Sequence, residues 1–156
     1  VTGASRAILL GDEAATRNIA RLLAAAARPG DLLALSGPLG SGKSVFARAF
    51  VRALAGEHEE VPSPTFTLVQ NYDAAIGTIW HFDLYRLRDR EEAFELGWED
   101  ALVDLVLVEW PERLGGLLPA RRVDIALEET AAAESRLMRL EARGGSTHLD
   151  RVGAWP

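Results

Sequence analysis

Eight consecutive residues, Gly37-Pro38-Leu39-Gly40-Ser41-Gly42-Lys43-Ser44, have the types and spacing needed to hold a phosphate chain. They match G-x-x-x-x-G-K-[ST], the phosphate-binding loop. Gly37, Gly40 and Gly42 let the backbone turn tightly with no Cβ between it and an anion. The loop's amides and the positive end of the following helix then face the phosphates together. Lys43 supplies a point charge to the β- and γ-phosphates, and the Ser44 hydroxyl a magnesium ligand. A glycine-rich turn that merely reversed the chain would need neither.

Phosphoryl chemistry also calls for an acidic side chain at a strand end, to hold the metal or orient a water. Glu109 follows the aliphatic run Leu105-Val106-Leu107-Val108, and Asp83 follows Ile79-Trp80-His81-Phe82. We assign Glu109 to the magnesium shell and Asp83 to the attacking water or to the metal through water. Spacing alone allows the reverse order too. Thr65, just after Pro62-Ser63-Pro64, is either a hydroxyl that a mobile loop brings to a γ-phosphate or a strand-opening threonine. His81 points to the site or to the opposite strand face. Trp110, beside Glu109, stacks in the site or packs in the core. Arg86, Arg88 and Arg90 neutralise phosphate charge or form a solvated face paired with Asp89, Glu91 and Glu92.

The flanking patterns supply the elements that such residues require. Leu32 to Leu35 is the continuous apolar run of a buried strand ahead of the loop. Ala47, Phe50, Val51 and Leu54 after it share one helical face. Upstream, Ala7 to Leu10 reads as a first strand and Asp12 as the N-cap of an amphipathic helix ending at Pro29-Gly30. Downstream, Thr65 to Tyr72 and Thr78 to Leu84 read as an antiparallel hairpin. Asp89-x-x-Glu92 resembles a capping box opening a short helix that Gly97 stops. Leu105 to Val108 reads as a central strand. A short helical segment runs from Pro111 to Gly115-Gly116, and strands from Val123 to Leu127 and Leu137 to Leu140. The stretch from Gly144 onward is expected to be loose. Together these predict one α/β P-loop domain over 1–156, a mixed central sheet flanked by helices.

Composition narrows the class. A chain of 156 residues that is 48% hydrophobic and 26% charged is of the soluble globular type. A formal net charge of -6 argues against a stand-alone nucleic-acid binder, though not against a local basic patch. With no cysteine, disulfides and thiolate metal sites are excluded. No run approaches a membrane span, and the opening residues lack the pattern of a secretory signal, so the expected location is cytoplasmic.

GPLGSGKS (37–44), SPTFTLVQNY (63–72), HFDLYRL (81–87), ELGWED (95–100) and VEWPERL (108–114) occur in this order. In that order they resemble the bacterial ATPase family of tRNA threonylcarbamoyladenosine biosynthesis, TsaE (formerly YjeE). The family often has alanine at the Ser41 position and threonine at Ser44; both differences keep the chemistry. The resemblance implies ATP and Mg2+ as ligands, and ATP hydrolysis in support of two partner proteins, TsaB and TsaD. Those partners modify adenosine 37 of tRNAs that read codons beginning with A, so tRNA is met through the complex. It implies magnesium at Ser44 and Glu109, and phosphates at Gly40 to Ser44, with Gly37 and Val45 completing the loop's nucleotide set. It further implies a nucleotide-responsive switch at Ser63 to Thr67 with Thr65 as sensor, and a hydrolytic role for Asp83 beside Lys43. By the same resemblance Thr16 and Arg136 would approach the nucleotide, and Trp110 is counted with them from its place beside Glu109.

Other readings compete. A small-molecule P-loop kinase would use Arg86 to Arg90 as a phosphate-clamping lid, but no second substrate site is evident. A GTPase would need N-K-x-D, and neither asparagine, Asn18 or Asn71, lies in such a motif.

Overall fold

The computed structural model describes residues 4–156. Its centre is a seven-stranded sheet in the order β1-β7-β6-β2-β5-β4-β3. The strands are β1 Ser5–Leu10, β2 Leu32–Ser36, β3 Val69–Ala74, β4 Gly77–Asp83, β5 Leu105–Glu109, β6 Arg122–Glu129 and β7 Arg136–Arg143. β2 is parallel to both β5 and β6, and β4 is parallel to β5. The pairs β1–β7, β6–β7 and β3–β4 are antiparallel. The four apolar residues Leu32 to Leu35 and the whole of β5 are buried, as strands covered on both faces must be. With β5 on one side of β2 and β6 on the other, the carboxyl ends of these strands open the crevice where such sheets take their ligands.

One face of the sheet is covered by α1 (Glu13–Ala25) and α2 (Lys43–Ala55), which pack over Leu33, Leu35, Leu105, Leu107 and Ile125. Asp12 caps α1 as expected, its carboxylate accepting from the Ala15 amide at 3.0 Å. The other face is covered by α3 (Glu92–Glu95), α4 (Trp98–Ala101) and the 3₁₀ segment Pro111–Leu117. They close over Phe82, Val106 and Val108, with Trp98 edge-on to Phe82 at 5.0 Å. The result is the three-layered mixed α/β arrangement that the sequence predicts.

Four expectations need correction. The strand expected from Thr65 begins at Val69, because Pro64 to Leu68 close a turn in which the Leu68 amide donates to the Pro64 carbonyl at 2.6 Å. Asp89-x-x-Glu92 is not a capping box. The helix starts two residues later, with Glu91 as its N-cap, while Asp89 accepts from the Glu91 amide in a local turn and Glu92 reaches Arg88. The last two strands run longer than predicted at both ends, since each residue of β6 pairs with one of β7.

The fourth correction concerns the end of the chain. Residues from Gly144 onward are packed, not loose: Ser146, His148, Leu149 and Val152 are buried. His148 Nε2 bonds the Leu23 carbonyl at 2.7 Å and Arg151 Nε donates to the Ala26 carbonyl at 3.0 Å, satisfying free carbonyls at the end of α1. Arg151 also pairs with the buried Asp31, which accepts from the Arg28 amide at 2.8 Å. Composition could not foresee this, because the segment is fixed by polar side chains and by isolated apolar residues, Leu149 and Val152, and not by an apolar run.

Candidate active site

The glycine-rich loop leaves the carboxyl end of β2 and delivers Lys43 as the first residue of α2. Gly37 has φ +146, and a Cβ there would stand 2.6 Å from the Leu127 carbonyl oxygen and 2.7 Å from Ser41 Oγ. Only glycine lets the loop pass so close to β6. Gly40 and Gly42 also have positive φ, and Gly42 caps α2 without a side chain, leaving the helix's first amides facing outward.

Lys43 is buried beneath the loop, its Nζ donating to the Gly37 carbonyl and to the Pro38 carbonyl at 3.4 Å. The same Nζ lies 4.1 Å from the centre of the Trp110 ring, and Tyr85 packs against Trp110 at 4.9 Å. Burial pushes the Lys43 ammonium below the usual lysine value, while Glu109, Asp83 and Glu112 pull it back up. Trp110 therefore faces the loop lysine and the site, held there by a left-handed backbone (φ +60) directly after β5.

Asp83 and Glu109 end adjacent parallel strands and are register partners. Both are buried. They share a cleft of about 310 Å³ with Lys43, Ser44, Ser63, Thr65 and Trp110. Asp83 Oδ2 accepts from the Thr65 hydroxyl at 3.2 Å and Oδ1 from the Tyr85 amide at 3.1 Å. Thr65 is also 2.8 Å from Ser63 Oγ. The Pro64–Leu68 turn is anchored to the same strand end, the Asp83 amide donating to the Leu68 carbonyl at 2.9 Å. Leu68 takes a strained φ of +68 there. Glu109 Oε2 is 2.7 Å from His81 Nε2, so His81 lies on the site's side of β4 and not on the opposite face.

A second cleft, about 400 Å³, adjoins the first through Gly40, Gly42 and Val45. It is lined by Thr16 of α1, Ser41 and Arg136 among others. Arg136 donates from Nε to the Ser41 carbonyl at 3.2 Å and from Nη2 to the Gly40 carbonyl at 3.1 Å. It thus braces the loop's carbonyls from β7. Only the resemblance points Arg136 toward a nucleotide, and nothing in the sequence signals this bracing, because the partners are main-chain atoms 95 and 96 residues away. The arginine cluster is elsewhere: Arg86 lies over the Phe66 ring, Arg88 pairs with Glu92 and Arg90 with Glu91. None of the three lines either cleft.

The residues present fit a nucleotide and a magnesium ion. Ser41 Oγ is buried with no hydrogen-bond partner, a polar atom at the loop waiting for one. Ser44, Asp83 and Glu109 offer hard oxygen donors along one cleft. Among the described residues no three His, Cys, Asp or Glu side chains form a ready-made metal cage. Magnesium needs no such cage, since it keeps waters and binds through one or two carboxylates plus phosphate oxygens.

A parallel-centred sheet with this loop at the end of its central strand defines an α/β P-loop protein. Residues 10–138 match the family described as "Threonylcarbamoyl adenosine biosynthesis protein TsaE". A "tRNA threonylcarbamoyladenosine biosynthesis protein TsaE" from Rickettsia felis is 42% identical over 122 residues, 78% of this chain and 71% of that protein. Its namesake from Bacillus subtilis is 36% identical over 124 residues, 78% of this chain and 77% of that protein. The crystal structure of YdiB from Bacillus subtilis superposes with a TM-score of 0.74 at 28% identity, covering 92% of this chain and 89% of that one. This chain belongs to the TsaE family of tRNA threonylcarbamoyladenosine biosynthesis. Among the described residues, no helix is long and apolar enough to cross a membrane.

Proposed function

We propose that this protein binds ATP with magnesium and hydrolyses it, as the nucleotide-driven component of the complex that makes N6-threonylcarbamoyladenosine at position 37 of tRNA. The observation that carries the reading is the convergence of Lys43, Ser44, Thr65, Asp83 and Glu109 on one cleft at the carboxyl ends of β2, β4 and β5. The amides of the loop and of the first turn of α2 hold the phosphates. Lys43 leaves the Gly37 carbonyl to neutralise the β- and γ-phosphate oxygens. Ser44 and Glu109 hold magnesium, which when bound offsets the charge that develops on the phosphate oxygens.

Asp83 positions the attacking water and accepts the proton that the water loses. Its bond to Thr65 ties that carboxylate to the Ser63–Thr67 segment, so loss of the γ-phosphate is felt by a segment already attached to the hydrolytic group. Thr16, Val45 and Arg136 border the adjoining cleft, which takes the nucleoside. Family membership supports the pathway, and the resemblance of the motifs supports TsaB and TsaD as partners, with tRNA reached through them.

The test is reconstitution of the tRNA modification with the two partners, following product over several turnovers. Added protein should sustain multiple turnovers and the Lys43→Ala variant should not. Equal yields with wild type, variant and no addition would overturn the proposal.

A further inference from the structure

We propose that His81 is the positioning residue for Glu109, holding one carboxylate oxygen so that the other is presented to the metal. The inference rests on the reading of Glu109 as a magnesium ligand. His81 Nε2 and Glu109 Oε2 are 2.7 Å apart, and both side chains are buried, at 2% and 4% side-chain exposure. Glu109 lines the phosphate cleft and His81 does not, so the carboxylate bridges from the cleft to the imidazole behind it. The sheet enforces the arrangement. Asp83 is the register partner of Glu109, and His81, two residues earlier on β4, points to the same face as Asp83.

The other ring nitrogen, Nδ1, is buried with no hydrogen-bond partner. The tautomer that suits this surrounding carries its proton on Nε2 and donates it to Glu109, leaving only a lone pair unpaired at Nδ1. A carboxylate fixed in this way loses rotamer freedom before the metal arrives. Partners of metal ligands in this role alter metal affinity by about 10- to 100-fold when removed.

The experiment compares His81→Gln, whose amide reaches the Nε2 position, with His81→Asn, whose amide reaches only the Nδ1 position. Free Mn2+ is measured by electron paramagnetic resonance in the presence of ADP and protein, and ADP affinity is measured separately in chelator. Mn2+ affinity should fall about 10- to 100-fold in His81→Asn and stay within about threefold of wild type in His81→Gln. ADP affinity without metal should be unchanged in both. In a Glu109→Ala background, His81→Asn should add no further loss.

Equal Mn2+ affinities in the Gln and Asn variants, with Glu109→Ala weakened, would overturn the positioning role alone. If Glu109→Ala binds Mn2+ like wild type, the metal assignment itself fails. Should the Asn variant not fold, nitrogen-15 spectra of the wild type decide the matter: a proton on His81 Nδ1 in place of Nε2 overturns the proposal.

Discussion

Asp83 and Glu109 stand side by side at the ends of two parallel strands, register partners with their carboxylates engaged by different groups. Asp83 is held by Thr65 and the Tyr85 amide, Glu109 by His81. Two buried carboxylates so placed would repel each other unless cations stand near, and Lys43 is close enough to feel both. Asp83→Ala and Glu109→Ala are each expected to retain nucleotide binding and to lose turnover by about 100-fold or more. Titration calorimetry and phosphate release measure the two quantities, and normal hydrolysis in both variants would refute the site assignment.

The contact between Lys43 and Trp110 makes the tryptophan a reporter of loop occupancy. In the present arrangement the ammonium is bound to the loop's own carbonyls and lies over the indole ring. On the proposed reading phosphate would draw the ammonium away, so tryptophan fluorescence should change on adding ATP and the change should vanish in Trp110→Phe. Lys43→Ala removes the charge-assisted bonds and should weaken ATP by about 100-fold. A full fluorescence change in Trp110→Phe would assign the signal to another tryptophan.

Gly37 is the loop position where a methyl group has no room. Gly37→Ala would place its Cβ against the Leu127 carbonyl and force a side chain into positive φ. A destabilisation of about 1 to 3 kcal/mol is expected. ATP affinity should fall as well, because the loop must draw away from β6. Gly40→Ala shares the positive φ but has nothing within 4 Å of its Cβ, so it isolates the clash and should cost less stability. Thermal melts of the two variants compare them directly.

The packed end of the chain predicts a pH dependence of stability. Burial pushes the His148 imidazole below the ordinary histidine value, against the upward pull of its Leu23 bond and of Asp31. The folded state therefore favours the neutral ring. The unfolded chain takes up a proton near pH 6.5, before the folded one does, so this contribution is intact above that pH and is lost as pH falls toward the folded value. The difference in melting temperature between wild type and His148→Gln should shrink between about pH 7.5 and 5.5. A constant difference would show that His148 does not titrate with folding.

Arg151→Ala tests the same region from its charged partner. It would leave the carboxylate of Asp31, itself buried, with the Arg28 amide and His148 as its remaining neighbours. The expected cost is about 3 kcal/mol, seen as a lower denaturation midpoint with nucleotide affinity unchanged. Affinity falling in step with stability would mean that the end segment also supports the site.

What the sequence determined was local. The loop from Gly37 to Ser44 needs only adjacent residues to define its chemistry, and the aliphatic runs before it and before Glu109 declare buried strands by their unbroken apolarity. Gly97 and Asp12 mark helix ends because capping is a matter of neighbouring residues. The tertiary structure decided what depends on which strands become neighbours. His81 meets Glu109 only because β4 lies beside β5, and Arg136 reaches the loop carbonyls only because of where β7 lies. Thr65 belongs to a turn whose closing residue, Leu68, is anchored by the Asp83 amide on another strand, and the same Asp83 takes the Thr65 hydroxyl. The closing segment, polar and glycine-rich, reads as loose until His148 and Arg151 find the carbonyls at the end of α1. Hydrogen bonds between residues distant in the chain leave no period or composition in the sequence, so only the fold could reveal them.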